Sequence, residues 1–355
     1  MTSTERVMAA VNFQSPDRLP IWDKYWGKFT ERWQQYMGLG PEANPIDYYG
    51  IDVSVCVADE SFFPSRRGVI RDDGDYSISD DGWGRIIRTG KHDSYFMETL
   101  ESVLDDTSKL DSLAFEPADL EMRYNGFADV VAAERKSGRC VFAKTGGLYI
   151  RSHFLRGEDK LLVDMALDED FCDALFDRVA AHLTSMALET LKRTNAWETG
   201  LFVYDDMANT SATMFSPAMF ERYFLPRYKK LISTVRDAGC KHFFLHSDGN
   251  IGPVLDMLLE AGFEGFNPLE PRCGLDLVKL REKYGNRIVF FGGMCNTQIL
   301  PRGDKKEIES FVRPLIELGR DGGVVFGQAS IGDDVSPEIY DFYMSLMKKH
   351  GDYSS

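Results

Sequence analysis

The chain has 355 residues, 43% of them hydrophobic, and a formal net charge of −15 at pH 7. That length and apolar content suffice for a large core. The acidity weighs against nucleic acid or an anionic membrane as main partner, and no apolar run approaches the roughly 18 residues needed to cross a bilayer. The opening MTSTERVMAAVNF is amphipathic without a signal-peptide core, so a cytoplasmic protein is expected. Its six cysteines are scattered with no close pair, as expected of reduced thiols in an intracellular chain.

In chain order, eight short apolar runs read as strands: 18–23, 51–57, 140–146, 201–206, 241–248, 263–270, 287–294 and 322–330. They are nearly continuous rather than alternating, the pattern of parallel strands covered on both faces. Amphipathic stretches between them read as helices. The one at 216–239 opens with Ser216 as cap and Pro217 in the first turn, and ends at Gly239; Pro226 should kink or split it. Eight strands alternating with helices predict a (β/α)8 TIM barrel with a short N-terminal extension, as one domain over 1–355. The alternative is an open doubly wound sheet, but no GxGxxG opens the first unit, and no nucleotide cofactor is expected. About 61–140 is too long for a plain crossover. Its VIRDDGDYSISDDGWGRIIRTG alternates around Asp-Gly turns, predicting a small antiparallel insertion that forms a lid or wall.

In such a barrel the active site lies at the C-terminal ends of the strands. Polar residues collect there. The first strand supplies Asp23, Lys24 and Trp26; the second Asp59 and Glu60; the third Lys144 and Thr145, with His153 beyond. The fourth ends in Asp205 and Asp206, the fifth in His246 and Asp248, and the sixth in Asn267 and Glu270. The seventh leads to Cys295 and Asn296, the eighth to Gln328 and Ser330. On an extended chain His246 and Asp248 project to the same side. Carboxylates, an imidazole and a thiol converging on one mouth would shift one another's pKa values or hold a cation. The candidate catalytic residues are Asp59, Asp205, Asp206, His246 and Asp248. Lys24, Trp26, His153, Asn267 and Gln328 are candidates for substrate binding. His246, Asp248, Glu270 and Cys295 offer a mixed N/O/S metal set, with zinc the first choice. His92, His182, His242 and His350 read as packed or solvated. Trp22, Tyr25, Trp26, Tyr149 and Phe154 either wall a flat substrate or pack the lid.

HSDGNIGPVLDMLLEAGFEGFNPLEPRCGLDLVKLREKYGNRIVFFGGM resembles the C-terminal half of the uroporphyrinogen decarboxylase superfamily. RVMAAVNFQSPDRLPIW resembles its N-terminal signature, and the segments GLYIRSHFLRGEDKLLVDMALDEDF and YDDMANTSATMFSPAMFERYFLPRYKKL resemble its middle. The resemblance implies a (β/α)8 barrel and one of two activities: cofactor-free decarboxylation, or methyl transfer to or from a corrinoid protein. Decarboxylases carry an arginine-rich loop after the first strand. Here WDKYWGKFTERW has Lys24 and Lys28 instead, point charges in place of bidentate clamps. Asp59 falls where decarboxylases place a catalytic aspartate, whereas His153 and Ala329 replace their tyrosine and histidine. Coenzyme M methyltransferases hold zinc with His-x-Cys and a later Cys. His246 matches the histidine, but Asp248 and Ser330 stand where the thiols would be. The resemblance is therefore closer to the methyltransferase branch. It implies transfer of a methyl group from a small methylated substrate, such as a methoxylated aromatic, to a corrinoid carried by a partner protein. The alternatives are a metal-free lyase acting on a small carboxylate through Asp59, Lys24 and His153, and a non-catalytic binding protein. Relatives of the decarboxylase type often form homodimers.

Overall fold

A computed structural model describes residues 1–92, 96–295 and 297–353; Asn296 and the side chain of Ala329 lie outside what it describes. The described residues hold twelve strands: β1 (Ile21–Tyr25), β2 (Val53–Cys56), β3 (Gly68–Asp73), β4 (Tyr76–Asp80), β5 (Arg85–Gly90), β6 (Met97–Ser102), β7 (Cys140–Gly146), β8 (Leu201–Tyr204), β9 (Phe243–His246), β10 (Gly265–Asn267), β11 (Val289–Gly293) and β12 (Val324–Ile331). Each of the eight predicted apolar runs overlaps one; six strands lie within their runs, whereas β1 and β12 continue past the predicted ends to Tyr25 and Ile331.

Eight of them form one all-parallel sheet in the order β1-β12-β11-β10-β9-β8-β7-β2. Sequence neighbours are spatial neighbours throughout, without the reversal of order that a doubly wound sheet requires. The sheet curls so that its two edge strands meet: the Asp52 N–H donates to the Ile21 carbonyl at 2.8 Å. The fully buried Asp52 carboxylate adds a polar strut there, accepting from Arg6, Arg18 and the Ile21 N–H.

The inside of the curl is aromatic. Trp22, Phe142, Phe202, Phe244 and Phe291, one from each of five strands, are at most 2% exposed. Their rings interlock, with centroids 4.8 Å apart for Phe244–Phe291, 5.0 Å for Phe202–Phe244 and 5.2 Å for Trp22–Phe202. Burying each ring stabilises the fold by roughly 2–3 kcal/mol. The stack also plugs the interior, and whatever projects two residues further along the same strands forms the layer above it.

Helices follow the strands on the outside. Ser216 caps the predicted helix by accepting from the Met219 N–H at 3.2 Å, and Pro226 does split it. A π-helical turn at Phe220–Phe224 precedes Leu225–Asp237, so the proline sits in a first turn, where its missing N–H costs nothing. The insertion forms a separate antiparallel sheet, β3-β4-β5-β6. The sequence pattern foreshadows β3 to β5; β6, METLES, lies beyond the quoted alternation and is almost wholly exposed. No helix among the described residues is long and apolar enough to cross a membrane. All six cysteines are free and buried.

Candidate functional site

The period of two along the strands decides what faces the mouth. Above Trp22 comes Lys24, above Phe142 Lys144, above Phe202 Tyr204, and above Phe244 His246. Tyr204 and His246 stack face to face, with ring centroids 4.3 Å apart and an interplanar angle of 19°. The Lys24 Nζ lies 3.4 Å from the Tyr204 hydroxyl, and the Lys144 Nζ lies 5.1 Å from the Tyr204 ring centroid. Lys144 donates to the buried Glu60 carboxylate at 2.5 Å, and Arg151 reaches the same oxygen at 3.4 Å. Burial pulls the Lys144 ammonium down against the pull of Glu60. Burial, and then the charge of Lys144, lowers Lys24 to about 8.

His246 is held by its neighbour on β10. Asn267 donates its side-chain N–H to the Phe291 carbonyl at 2.9 Å, which fixes the amide with its oxygen toward His246. The Asn267 Oδ1 is 2.5 Å from the His246 Nδ1, so Nδ1 is the donor and carries the proton. The Nε2 of His246 is left facing the mouth. There it meets the Asp206 Oδ1 at 3.6 Å and the Asp248 Oδ1 at 3.9 Å. These are the His, Cys, Asp and Glu residues, among those described, whose ligand atoms gather within 4.8 Å of one another.

The imidazole is 11% exposed while the two carboxylates are 43% and 61% exposed, so the cluster opens outward. A lone pair facing two carboxylates is repulsive unless a proton or a cation lies between them. Desolvation in the mouth raises the Asp248 carboxyl even though its side chain keeps much of its exposure. His246 opposes that shift, and Asp206 and Glu270 reinforce it.

The turn after β9 needs its glycine. Gly249 has φ +83, and a Cβ there would sit 2.6 Å from the carbonyls of Ala208 and Asn209. Its N–H donates to the Glu270 Oε2 at 2.9 Å, and the Asp248 N–H donates to the Asp206 Oδ1 at 3.1 Å.

Several expected residues go elsewhere. Asp205 is fully buried on the opposite face of its strand from Asp206. It accepts from the N–H groups of Tyr149 and Ile150 and from the Tyr228 hydroxyl. It therefore serves the first turn of the Leu148–Arg156 helix, and burial raises it to about 6 despite those donors. Asp59 pairs with Arg67 at 3.1 Å and accepts from Ser61; the next residue, Glu60, is the carboxylate that meets Lys144 and Arg151. Glu270 is taken up by Arg272 and the Gly249 N–H, and the Cys295 thiol lies near Thr297 at 3.9 Å, so neither joins His246 and Asp248 in one ligand set. Asp206 takes the third place.

His153 packs between Tyr149 and Phe154. Burial, with Arg85 and Arg151 nearby, lowers it to about 4, so it is neutral at pH 7. Gln328 is buried and donates to the Met294 carbonyl at 2.7 Å. Trp26 is 58% exposed at the rim, and Lys28 is exposed. Asp23 is buried under the Tyr340 hydroxyl on the helix side of β1 and is raised to about 7 by desolvation.

Tyr204 and Arg151 complete the layer without having been singled out in the sequence, and Glu60, noted there at the end of the second strand, was given no role. Tyr204 could have been found from the spacing it shares with His246, two residues beyond a plug phenylalanine. Arg151 carries no such signal: its guanidinium lies over the Trp83 ring at 3.8 Å, and Trp83 belongs to the insertion.

Residues 154–340, just over half of the chain and including the His246 cluster, match the family described as Uroporphyrinogen decarboxylase (URO-D). The chain belongs to the uroporphyrinogen decarboxylase family. No curated protein matches it. Among solved structures, a methyltransferase from Methanosarcina mazei is similar with a TM-score of 0.70, over 98% of this chain and 99% of that one. The two are 16% identical, so the likeness speaks for the shared fold. As a URO-D family member the protein keeps its polar cluster inside the matched segment, whereas Lys24 and Glu60 lie outside it.

The Asn267 lock yields a measurable expectation. Asn267→Ala frees the imidazole to rotate and change tautomer, so if the cluster takes up a divalent cation, affinity for it should fall about 10- to 100-fold. Competition against a chelator measures it. Affinity within twofold of the unaltered protein would mean that the amide does not orient the ligand.

Proposed function

We propose that the protein is a methyltransferase. It would take a methyl group from a small methylated substrate, such as a methoxylated aromatic, and pass it to a corrinoid held by a partner protein in the cytoplasm. The eight-stranded sheet would act as a closed (β/α)8 barrel. The observation that carries the reading is the orientation of His246: Nδ1–H tied to Asn267, Nε2 turned to Asp206 and Asp248 at the open mouth.

Demethylating an oxygen or a comparable atom requires that the departing atom be protonated or polarised. Asp248, its carboxyl raised by desolvation and by the charges of Asp206 and Glu270 against the pull of His246, can hold the proton at the mouth. The same three side chains supply one nitrogen and two carboxylates, a donor set that fits zinc or another first-row divalent ion. Such an ion, when bound, would supply Lewis-acid polarisation of the leaving atom. The set has no thiolate, so a substrate thiol would not meet the sulfur-rich surroundings of the coenzyme M relatives. Tyr204 and the aromatic plug would support a flat substrate from below, and the exposed Trp26 stands at the rim.

The test is transfer of a methyl group to a reduced corrinoid carrier from a panel of methoxylated and N- or S-methylated donors, with elemental analysis of the same preparation. Methylation from at least one donor is expected. No methylation across the panel, with a carrier shown to be active, would remove the reading.

A further inference from the structure

Tyr204 reaches across the mouth. It stands on β8, which β7 and β2 separate from β1, yet its hydroxyl meets Lys24 of β1 at 3.4 Å. The ring is held on the way. His246 stacks on it with centroids 4.3 Å apart, Phe202 lies at 6.3 Å in the plug beneath, and the Lys144 Nζ stands 5.1 Å from the centroid.

The hydroxyl is used on one side only. Lys24 sits at about 8, so at pH 7 it is an ammonium with protons to give and no lone pair. It donates, and the phenol oxygen accepts. The phenol's own O–H is left over: among the described residues nothing accepts it. Burial, and then the charges of Asp206, Glu60 and Asp248, hold the phenol above its ordinary range, so it keeps that proton. Because Asp206 and Asp248 act on it, the hydroxyl lies beside the cluster. An O–H whose oxygen already accepts from an ammonium is a strengthened donor. A ring that is clamped from the side and from below makes it a preorganised one.

We infer that the Tyr204 hydroxyl is a catalytic hydrogen-bond donor, aimed at the substrate atom that loses the methyl group. The inference rests on the proposed methyl transfer for its reaction, and on the geometry of the mouth alone for the donor. With a methoxyl substrate the carbon–oxygen bond breaks. The reduced corrinoid supplies the electron pair for the new bond to carbon, and the oxygen leaves with the old pair. Tyr204 stabilises the negative charge that grows on that oxygen and keeps its own proton. The proton that the oxygen takes up comes from Asp248.

The experiment uses the full chain, its Tyr204→Phe variant and benzonitrile, a flat neutral probe with an acceptor and no methyl group. A nitrile stretch moves to higher frequency when an O–H donates to the nitrogen, and infrared difference spectra of the bound probe read that shift. The unaltered protein should show the hydrogen-bonded band. Tyr204→Phe keeps the ring and its stack on His246. It should show the band of an aprotic solvent and bind the probe about three- to tenfold more weakly. In the same variant kcat for methyl transfer should fall about 100-fold, with KM for the methyl donor within about threefold.

No binding of benzonitrile, or an aprotic band, in the unaltered protein overturns the inference, and that result holds even if the variant does not fold. A hydrogen-bonded band that persists in a folded Tyr204→Phe overturns it as well, and so does transfer by that variant within about threefold of the unaltered rate. A protein that methylates no corrinoid from any donor removes the methyl-transfer reading and the catalytic role with it. The loss of the hydrogen-bonded band in Tyr204→Phe would still uphold the donor in the mouth.

Discussion

On the proposed methyl-transfer reading, replacing His246 with alanine should lower activity about 10³-fold and abolish divalent-cation binding at the cluster wherever the unaltered protein shows it. The imidazole is the one member of the cluster that is oriented from behind, by Asn267, and sandwiched from the side, by Tyr204. Without it, Asp206 and Asp248 remain as two outward carboxylates that water and salt can screen. The fold should survive. The imidazole lies at the mouth above the plug, and its loss leaves one amide oxygen and one tyrosine face to be solvated, a cost of about 1–2 kcal/mol. Single-turnover methyl transfer, elemental analysis and a denaturant titration on the same sample separate these effects. Activity within tenfold of the unaltered protein, in a folded variant, would take the chemistry away from His246.

Asp205→Ala should behave in the opposite way, as a stability variant. The Asp205 carboxylate and the Tyr228 hydroxyl together satisfy the first three N–H groups of the Leu148–Arg156 helix: Tyr228 accepts from Leu148, and Asp205 accepts from Tyr149 and Ile150. Those donors have no partner inside their own helix. Truncation strands two buried N–H groups and a hydroxyl at once, and a loss of about 4 kcal/mol is expected. The space beside it is already tight: a Cβ on Gly147 would fall 1.9 Å from the Asp205 Cβ, so no side chain can move in to compensate.

The pH dependence has a defined sign. The folded carboxyl sits at about 6, above its unfolded value of about 3.9. Folding therefore favours the protonated form. The contribution is greatest below pH 4 and is lost as pH rises through 6. The difference in unfolding free energy between the unaltered protein and Asp205→Asn should shrink across that interval, as measured by denaturant midpoints at pH 4, 5, 6 and 7. A difference independent of pH would mean that Asp205 does not titrate there. Loss of activity in Asp205→Ala with unaltered stability would restore it to the list of catalytic candidates.

The two aspartates show where reading the sequence stops. YDD places Asp205 and Asp206 on opposite faces of a strand, and that much follows from the period of two alone. Which face looks into the curl is decided by the direction in which the sheet bends. The bend turns Phe202, Tyr204 and Asp206 inward and gives Asp205 to a helix. Asp59 and Glu60 divide in a comparable way past the end of β2, one going to Arg67 and the other to Lys144. Glu270 and Cys295 are strand-end residues by sequence, but their loops carry them to Arg272 and to the neighbourhood of Thr297.

By itself, the sequence determined the eight parallel strands, since runs buried on both faces must be apolar throughout. It determined the insertion, through its alternation around Asp-Gly turns. It also placed His246 and Asp248 together, because two residues of extended chain fix their side. Only the tertiary structure decided that Asp206 completes their cluster, that Lys24 is turned to the Tyr204 hydroxyl, and that Tyr204 lies between them. Those relations join strands far apart in the chain, and their geometry is set by the curl of the sheet over its aromatic plug, which no local pattern of residues encodes.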